Sequence, residues 1–189
     1  MKNLWNWMMN PPLNGPRATI YLRMMTGAVF FWEGILKFVY VNQGVGRFTL
    51  LQIPFPVFSA HFVAVLEIIG GACLMLGLFT RVFATLFIIE MIVAVLTTKI
   101  SMFLGTFPIP IAVPPRVGIW AVLHEIRSEY AQMFTCIFYC IVGPGPLSLD
   151  AKMRPSNPAE FSPTRDSGNV IPLRETKANR SERDQDLTG

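Results

Sequence analysis

Four long apolar runs, at about 17–40, 57–79, 82–104 and 130–149, constrain this chain more than anything else in it. At 1.5 Å per helical residue each can cover the roughly 30 Å of a bilayer's hydrocarbon. The composition agrees: 52% of the 189 residues are hydrophobic and only 15% are charged, with a mean hydropathy of +0.44. That is too apolar for a soluble domain of this size. The expected fold is therefore an all-α membrane protein, a bundle of four transmembrane helices over residues 17–150.

The flanks differ from this middle. Residues 1–16 carry Lys2, Trp5 and Trp7 and then Pro11-Pro12, without the unbroken apolar stretch and small-residue cleavage site of a signal peptide. They read as an interfacial segment, with tryptophans at headgroup depth. From 151 to 189 the sequence turns to Pro, Ser, Asn and alternating charges that nearly cancel, which predicts a disordered tail. Most of the formal charge of +4 thus resides in the membrane part. Lipid headgroups are its expected counterparts, because no basic stripe with interleaved aromatics suggests nucleic acid.

Three cysteines and two histidines offer no CxxC pair and no clustered ligand set, which argues against a disulfide framework or a zinc site. Cys136 and Cys140 read as small buried side chains. His61 and His124 fall on the same side of the membrane. His61, however, lies about six residues and so roughly 120° around its helix from Glu67, against a shared coordination shell. Both read as interfacial histidines, and no metal is expected.

The charged residues inside the apolar runs are the functional candidates, since an ionisable group within the membrane is costly to place there. In the first run Arg23, Gly27, Phe30, Gly34 and Lys37 share one helical face, and Glu33 precedes Lys37 by four, the favourable order for an ion pair. In the second, Ala60, Ala64, Glu67 and Gly71 share a face. Small residues let neighbouring backbones approach, so both stripes should face the bundle. A lipid-facing carboxylate would cost about 2.5–3.5 kcal/mol, which turns Glu67 inward as well.

By depth, Glu33, Lys37, His61, Glu67, Lys99, His124 and Glu129 belong to the layer near the 41–56 and 105–129 loops. Lys37, Glu67 and Glu129 either pair internally or form a ligand or proton site. Glu90 lies nearer mid-membrane as a lone acid. Arg23, Arg81 and Asp150 lie toward the opposite surface, where a structural charge cluster is expected and Asp150 could answer an arginine or cap backbone amides. The stretch from Arg116 to Glu129 has helical periodicity, with Pro115 suited to a first turn. Four spans put both termini on one side, and the balance of Lys and Arg leans toward a cytoplasmic side for them.

Several features together resemble the DoxX family of small four-helix membrane proteins. They are Arg23, Gly27, Gly34 and Lys37; Glu67, Gly70, Gly71, Gly77, Thr80 and Arg81; Ala84; and Glu129 followed by the Gly143-Pro-Gly-Pro-Leu-Ser-Leu-Asp150 segment. The resemblance spans about residues 17–152. It implies a bacterial inner-membrane protein associated with redox enzymes, similar to a subunit of thiosulfate:quinone oxidoreductase or of a quinol oxidase. In that role Lys37, Glu67 and Glu129 would bind a quinone headgroup or relay its protons, with Phe30 packing the ring. Without a nucleotide loop, a CxxC or a bis-histidine pair, the chain would need a partner subunit to move electrons. The rival expectation is a non-catalytic scaffold or a carrier of a lipid or small molecule. Small-residue grooves would also suit a homodimer.

Overall fold

The computed structural model describes residues 2–111 and 114–153. Among them every regular element is a helix. α1 (Lys2–Met9) precedes α2 (Thr19–Val39), a short α3 (Val45–Leu50) leads into α4 (Pro56–Leu76), and α5 (Thr80–Leu104) follows after three residues. α6 (Ile119–Glu125), α7 (Arg127–Val142) and α8 (Leu149–Met153) complete the described part. Among the described residues two helices, α4 and α5, are long and apolar enough to cross a membrane. α2 matches α4 in length at 21 residues but carries Arg23, Glu33 and Lys37, and α7 has 16 residues.

Two expectations about boundaries change. The helix expected from Arg116 begins only at Ile119, because Gly118 takes a positive φ of 83°, and the chain breaks again at Ile126 before α7. Pro115 therefore lies outside any helix. Ala151, Lys152 and Met153, expected to open a disordered tail, belong to α8; the rest of that stretch falls outside the described residues.

α2 packs chiefly on α4, and α5 chiefly on α7. Glycine makes the first seam possible. A methyl group on Gly27 would stand 2.6 Å from the Gly71 carbonyl, and one on Gly71 would stand 2.6 Å from the Gly27 carbonyl. On Gly34 it would meet the Ala64 carbonyl at 2.7 Å. Backbone thus lies on backbone, which suits a lipid setting where close van der Waals packing supplies much of the attraction between helices. Gly70 plays a different part, receiving the rings of Phe83 and Phe87 from α5. Around that contact Phe30, Leu74, Ala84, Phe87, Met91, Cys136 and Tyr139 form the core.

The α4–α5 turn sets the register of everything that follows. Gly77 ends α4 in the left-handed conformation at φ 69°, with the Leu78 amide donating back to the Cys73 carbonyl at 2.8 Å. This is the six-to-one closure that glycine allows without strain. The space a side chain would need at Gly77 is filled by the Arg23 guanidinium and Ser148.

Candidate functional site

In mid-bundle, three helices bring ionisable groups together. Lys37 of α2 donates from Nζ to both carboxylate oxygens of Glu67 on α4, at 2.7 and 2.5 Å. The pair is secluded, with side chains 13% and 4% exposed. From α5 the Glu90 carboxyl group is in hydrogen-bonding contact with Glu67. An ionised carboxylate has no hydrogen to donate, so this contact requires a proton on one of the two acids. The Lys37 ammonium lies against Glu67, and the two carboxyl groups with it form one coupled proton-sharing group. Glu90 Oε2 is buried with no hydrogen-bond partner among the described residues.

Glu90, a lone acid by its own helix's pattern, has a signal for its place in the chain. Glu67 and Glu90 stand almost equally far on either side of Leu78, the middle of the α4–α5 turn. Two antiparallel helices joined by a tight turn bring such residues opposite one another. Glu33, expected to pair with Lys37 along the helix, is exposed instead while Lys37 reaches across to Glu67.

Glu129 does not join this group. It pairs with Lys99 at 2.8 Å, and Lys99 also donates to the Glu125 carbonyl at 3.1 Å. The layer read from the sequence as one cluster is therefore two, one joining α2, α4 and α5 and the other joining α5 to α7. Phe30 is 2% exposed and stacks face to face on Phe87, with ring centroids 3.7 Å apart. Rings in van der Waals contact admit no third ring between them.

At the opposite end the arginines pair with backbone rather than with Asp150. Arg23, 1% exposed, donates from Nη2 to the Leu147 carbonyl. Arg81 donates to the carbonyls of Trp7 at 2.9 Å and Ile141 at 3.4 Å, and its guanidinium lies 4.5 Å from the Trp7 ring centroid. The Asp150 carboxylate instead accepts from the amides of Phe79 at 2.8 Å and Thr80 at 3.1 Å. It thereby satisfies amides at the α5 start that have no intrahelical acceptor, across about seventy residues of chain. His61 contacts the Val57 carbonyl at 2.6 Å and the Phe38 ring. Among the described residues no three His, Cys, Asp or Glu side chains gather as a metal site.

The DoxX family model matches residues 18–100, from the start of α2 to the last turns of α5. A relative from Mycobacterium tuberculosis, "Uncharacterized membrane protein Rv3486", is 37% identical over 74% of this chain and 83% of its own length. The chain belongs to the DoxX family. It is a membrane protein, as that relative is named to be. A second relative, "Putative oxidoreductase CatD" of Bacillus subtilis, is 36% identical over 70% of this chain and 84% of its own length. No solved structure matches the chain. The matched region holds Lys37, Glu67, Glu90 and Lys99 but stops short of Glu129.

Proposed function

We propose that this DoxX protein is a membrane subunit or accessory of a quinone-linked redox system, in which Lys37, Glu67 and Glu90 handle the protons that accompany electron transfer. In this reading α2 and α7 join α4 and α5 as four spans of a bacterial inner membrane, with both termini cytoplasmic. The carrying observation is the buried Lys37–Glu67–Glu90 network: charge held at mid-bundle is expensive, and in membranes such groups mark proton or ligand sites. The name of the Bacillus relative supports the redox direction.

The residues suit the oxygens of a quinone headgroup better than its ring. An ammonium has three hydrogens, and the two Lys37–Glu67 bonds leave it one more to offer. Glu90 adds a buried oxygen, Oε2, that has no hydrogen-bond partner among the described residues. Phe30 is committed to Phe87 and serves to hold α5, and with it Glu90, against α2. Reduction of a quinone to a quinol takes up two electrons and two protons. The electrons would come from a partner subunit, and this chain's part would be to orient the headgroup with Lys37 and to hold a proton on the Glu67–Glu90 pair.

Two measurements test the proposal. Organic extraction of the protein purified in mild detergent, together with dithionite-reduced minus oxidised spectra, should find quinone in near-stoichiometric amount. Membranes carrying Glu67→Gln should lose quinone-dependent turnover by about a hundredfold or more, the usual scale of a lost acid–base group. A protein free of quinone whose Glu67→Gln form supports normal turnover overturns the reading and points to a scaffold or a lipid carrier.

A further inference from the structure

At the end of the bundle away from the Lys37–Glu67–Glu90 group, three consecutive residues at the start of α5 anchor two other helices. The amides of Phe79 and Thr80 donate to the Asp150 carboxylate at 2.8 and 3.1 Å, which pins α8. The Asp150 amide donates in turn to the Gly77 carbonyl at 2.9 Å. Arg81 donates to the Trp7 carbonyl at 2.9 Å and lies over the Trp7 ring, which pins α1. Between α1, α8 and this turn is a cavity of about 130 Å³, lined by Met8, Met9, Pro11, Phe79, Asp150 and Met153.

Half of that lining is methionine, in a chain with ten methionines among 189 residues. The three come from α1 and α8, at opposite ends of the described chain, so no local pattern gathers them. A methionine side chain has three rotatable bonds and a polarisable sulfur, which it can turn toward a guest. Asp150 is the only charged residue of the lining. Its carboxylate keeps its negative charge while it accepts from the two amides, and neither ion pair among the described residues involves it. No His or Cys lines the cavity. The spacing argument against a zinc site concerns those two residue types and leaves thioethers aside.

The structure assigns this cavity to a soft monovalent cation, copper(I), held by the thioethers of Met8, Met9 and Met153 with Asp150 supplying the compensating charge. Thioether sulfur is a soft ligand that selects copper(I), whereas zinc takes thiolate, imidazole or carboxylate. A hard cation such as Ca²⁺ or Mg²⁺ asks for about six or more oxygen ligands, and the cavity offers one carboxylate already shared with two amides. Because α1 and α8 are both pinned to the start of α5, the methionine backbones are in place before the ion arrives and side-chain rotation completes the site. Met9 and Met153 are exposed, which leaves the ion a way in from the surface. The site shares no residue with the Lys37–Glu67–Glu90 group and stands or falls independently of the redox reading.

The test uses silver(I), a redox-inert stand-in for copper(I), added to the full-length protein in detergent with isotope-labelled methionine methyl groups. The methyl resonances of Met8, Met9 and Met153, assigned from single Met→Leu variants, should move together and stop once the site is full, while those of the other methionines stay in place. Silver also binds thiols, so its uptake is compared between the wild type and the Met8→Leu, Met153→Leu double variant, which share Cys73, Cys136 and Cys140. After gel filtration the variant should retain about one silver ion fewer per chain. Leucine conserves the volume of methionine and keeps the packing. Should the double variant fail to fold, Met153→Leu alone, at an exposed position, should weaken binding about tenfold or more. Equal silver uptake by wild type and variants, or methyl shifts spread over methionines outside the cavity, overturns the site. Shifts of the three methyl groups on adding hexane, with none on adding silver, also overturn it and give the cavity to a hydrocarbon chain.

Discussion

Removing Lys37 should cost the protein far more than removing Lys37 and Glu67 together. The Lys37→Met variant leaves a carboxylate that is 3% exposed, with two short hydrogen bonds lost and only Glu90 left to donate to it. Breaking one side of a buried pair typically costs about 3–5 kcal/mol. In a bilayer the unfolded helices also find partners, and measured side-chain hydrogen bonds there average about 0.6 kcal/mol, so roughly 2–4 kcal/mol is expected for Lys37→Met. Replacing both partners removes the uncompensated charge along with the attraction. The double variant Lys37→Met, Glu67→Leu should therefore lie within about 1 kcal/mol of wild type. The assay is equilibrium unfolding in mixed micelles with increasing SDS, followed by far-ultraviolet circular dichroism, arranged as a double-mutant cycle. A coupling energy near 2 kcal/mol or above is expected; a double variant destabilised by the sum of the two singles would refute the pairing. The cycle extends to Glu90. Glu90→Gln keeps a donor for Glu67 and should change stability by less than about 1 kcal/mol, whereas Glu67→Gln strands the Lys37 ammonium and should cost more than twice that.

Other consequences are equally direct. Gly27→Ala and Gly71→Ala should each destabilise by about 1–3 kcal/mol in the same unfolding assay, and the double variant by clearly less than their sum, because either methyl alone already forces the same two backbones apart; strict additivity would argue against a shared contact. Asp150→Ala should lower stability by about 1–2 kcal/mol through loss of the α5 cap, with Asp150→Asn recovering much of it; an unchanged melting temperature would count against the cap. Phe30→Ala should cost about 3–5 kcal/mol by opening a cavity against Phe87, and a variant with native stability but weakened quinone binding would instead give Phe30 the ring-packing role.

The long helices were legible because their signal is local. Apolar runs of the right length, Pro56 at a helix start and Gly77 and Gly105 after helix ends are enough to place α4 and α5. The spacing of Gly27 and Gly34 and of Ala64 and Gly71 marks the buried faces of α2 and α4, since small residues at helical spacing are what close approach requires. Periodicity places the start of α6 too early, because Arg116 to Gly118 fits a helical period yet ends in a positive φ that no periodicity reveals.

Partner choice was the part hidden from sequence. Glu33 and Lys37 satisfy the local rule for an ion pair, but that rule is worth only a few tenths of a kcal/mol at a surface. A buried carboxylate on a neighbouring helix offers Lys37 a far stronger interaction, and Glu67 takes it. The same competition sends Glu129 to Lys99 and Asp150 to the backbone amides of α5. Local patterning along the chain was enough to mark the helical segments, the faces small enough to touch, and the charges that must be brought inside. Which charges meet depends on the three-residue turn that sets α4 against α5 and on the α5–α7 register, because electrostatic partners are chosen by distance in space and burial rather than by spacing along the chain.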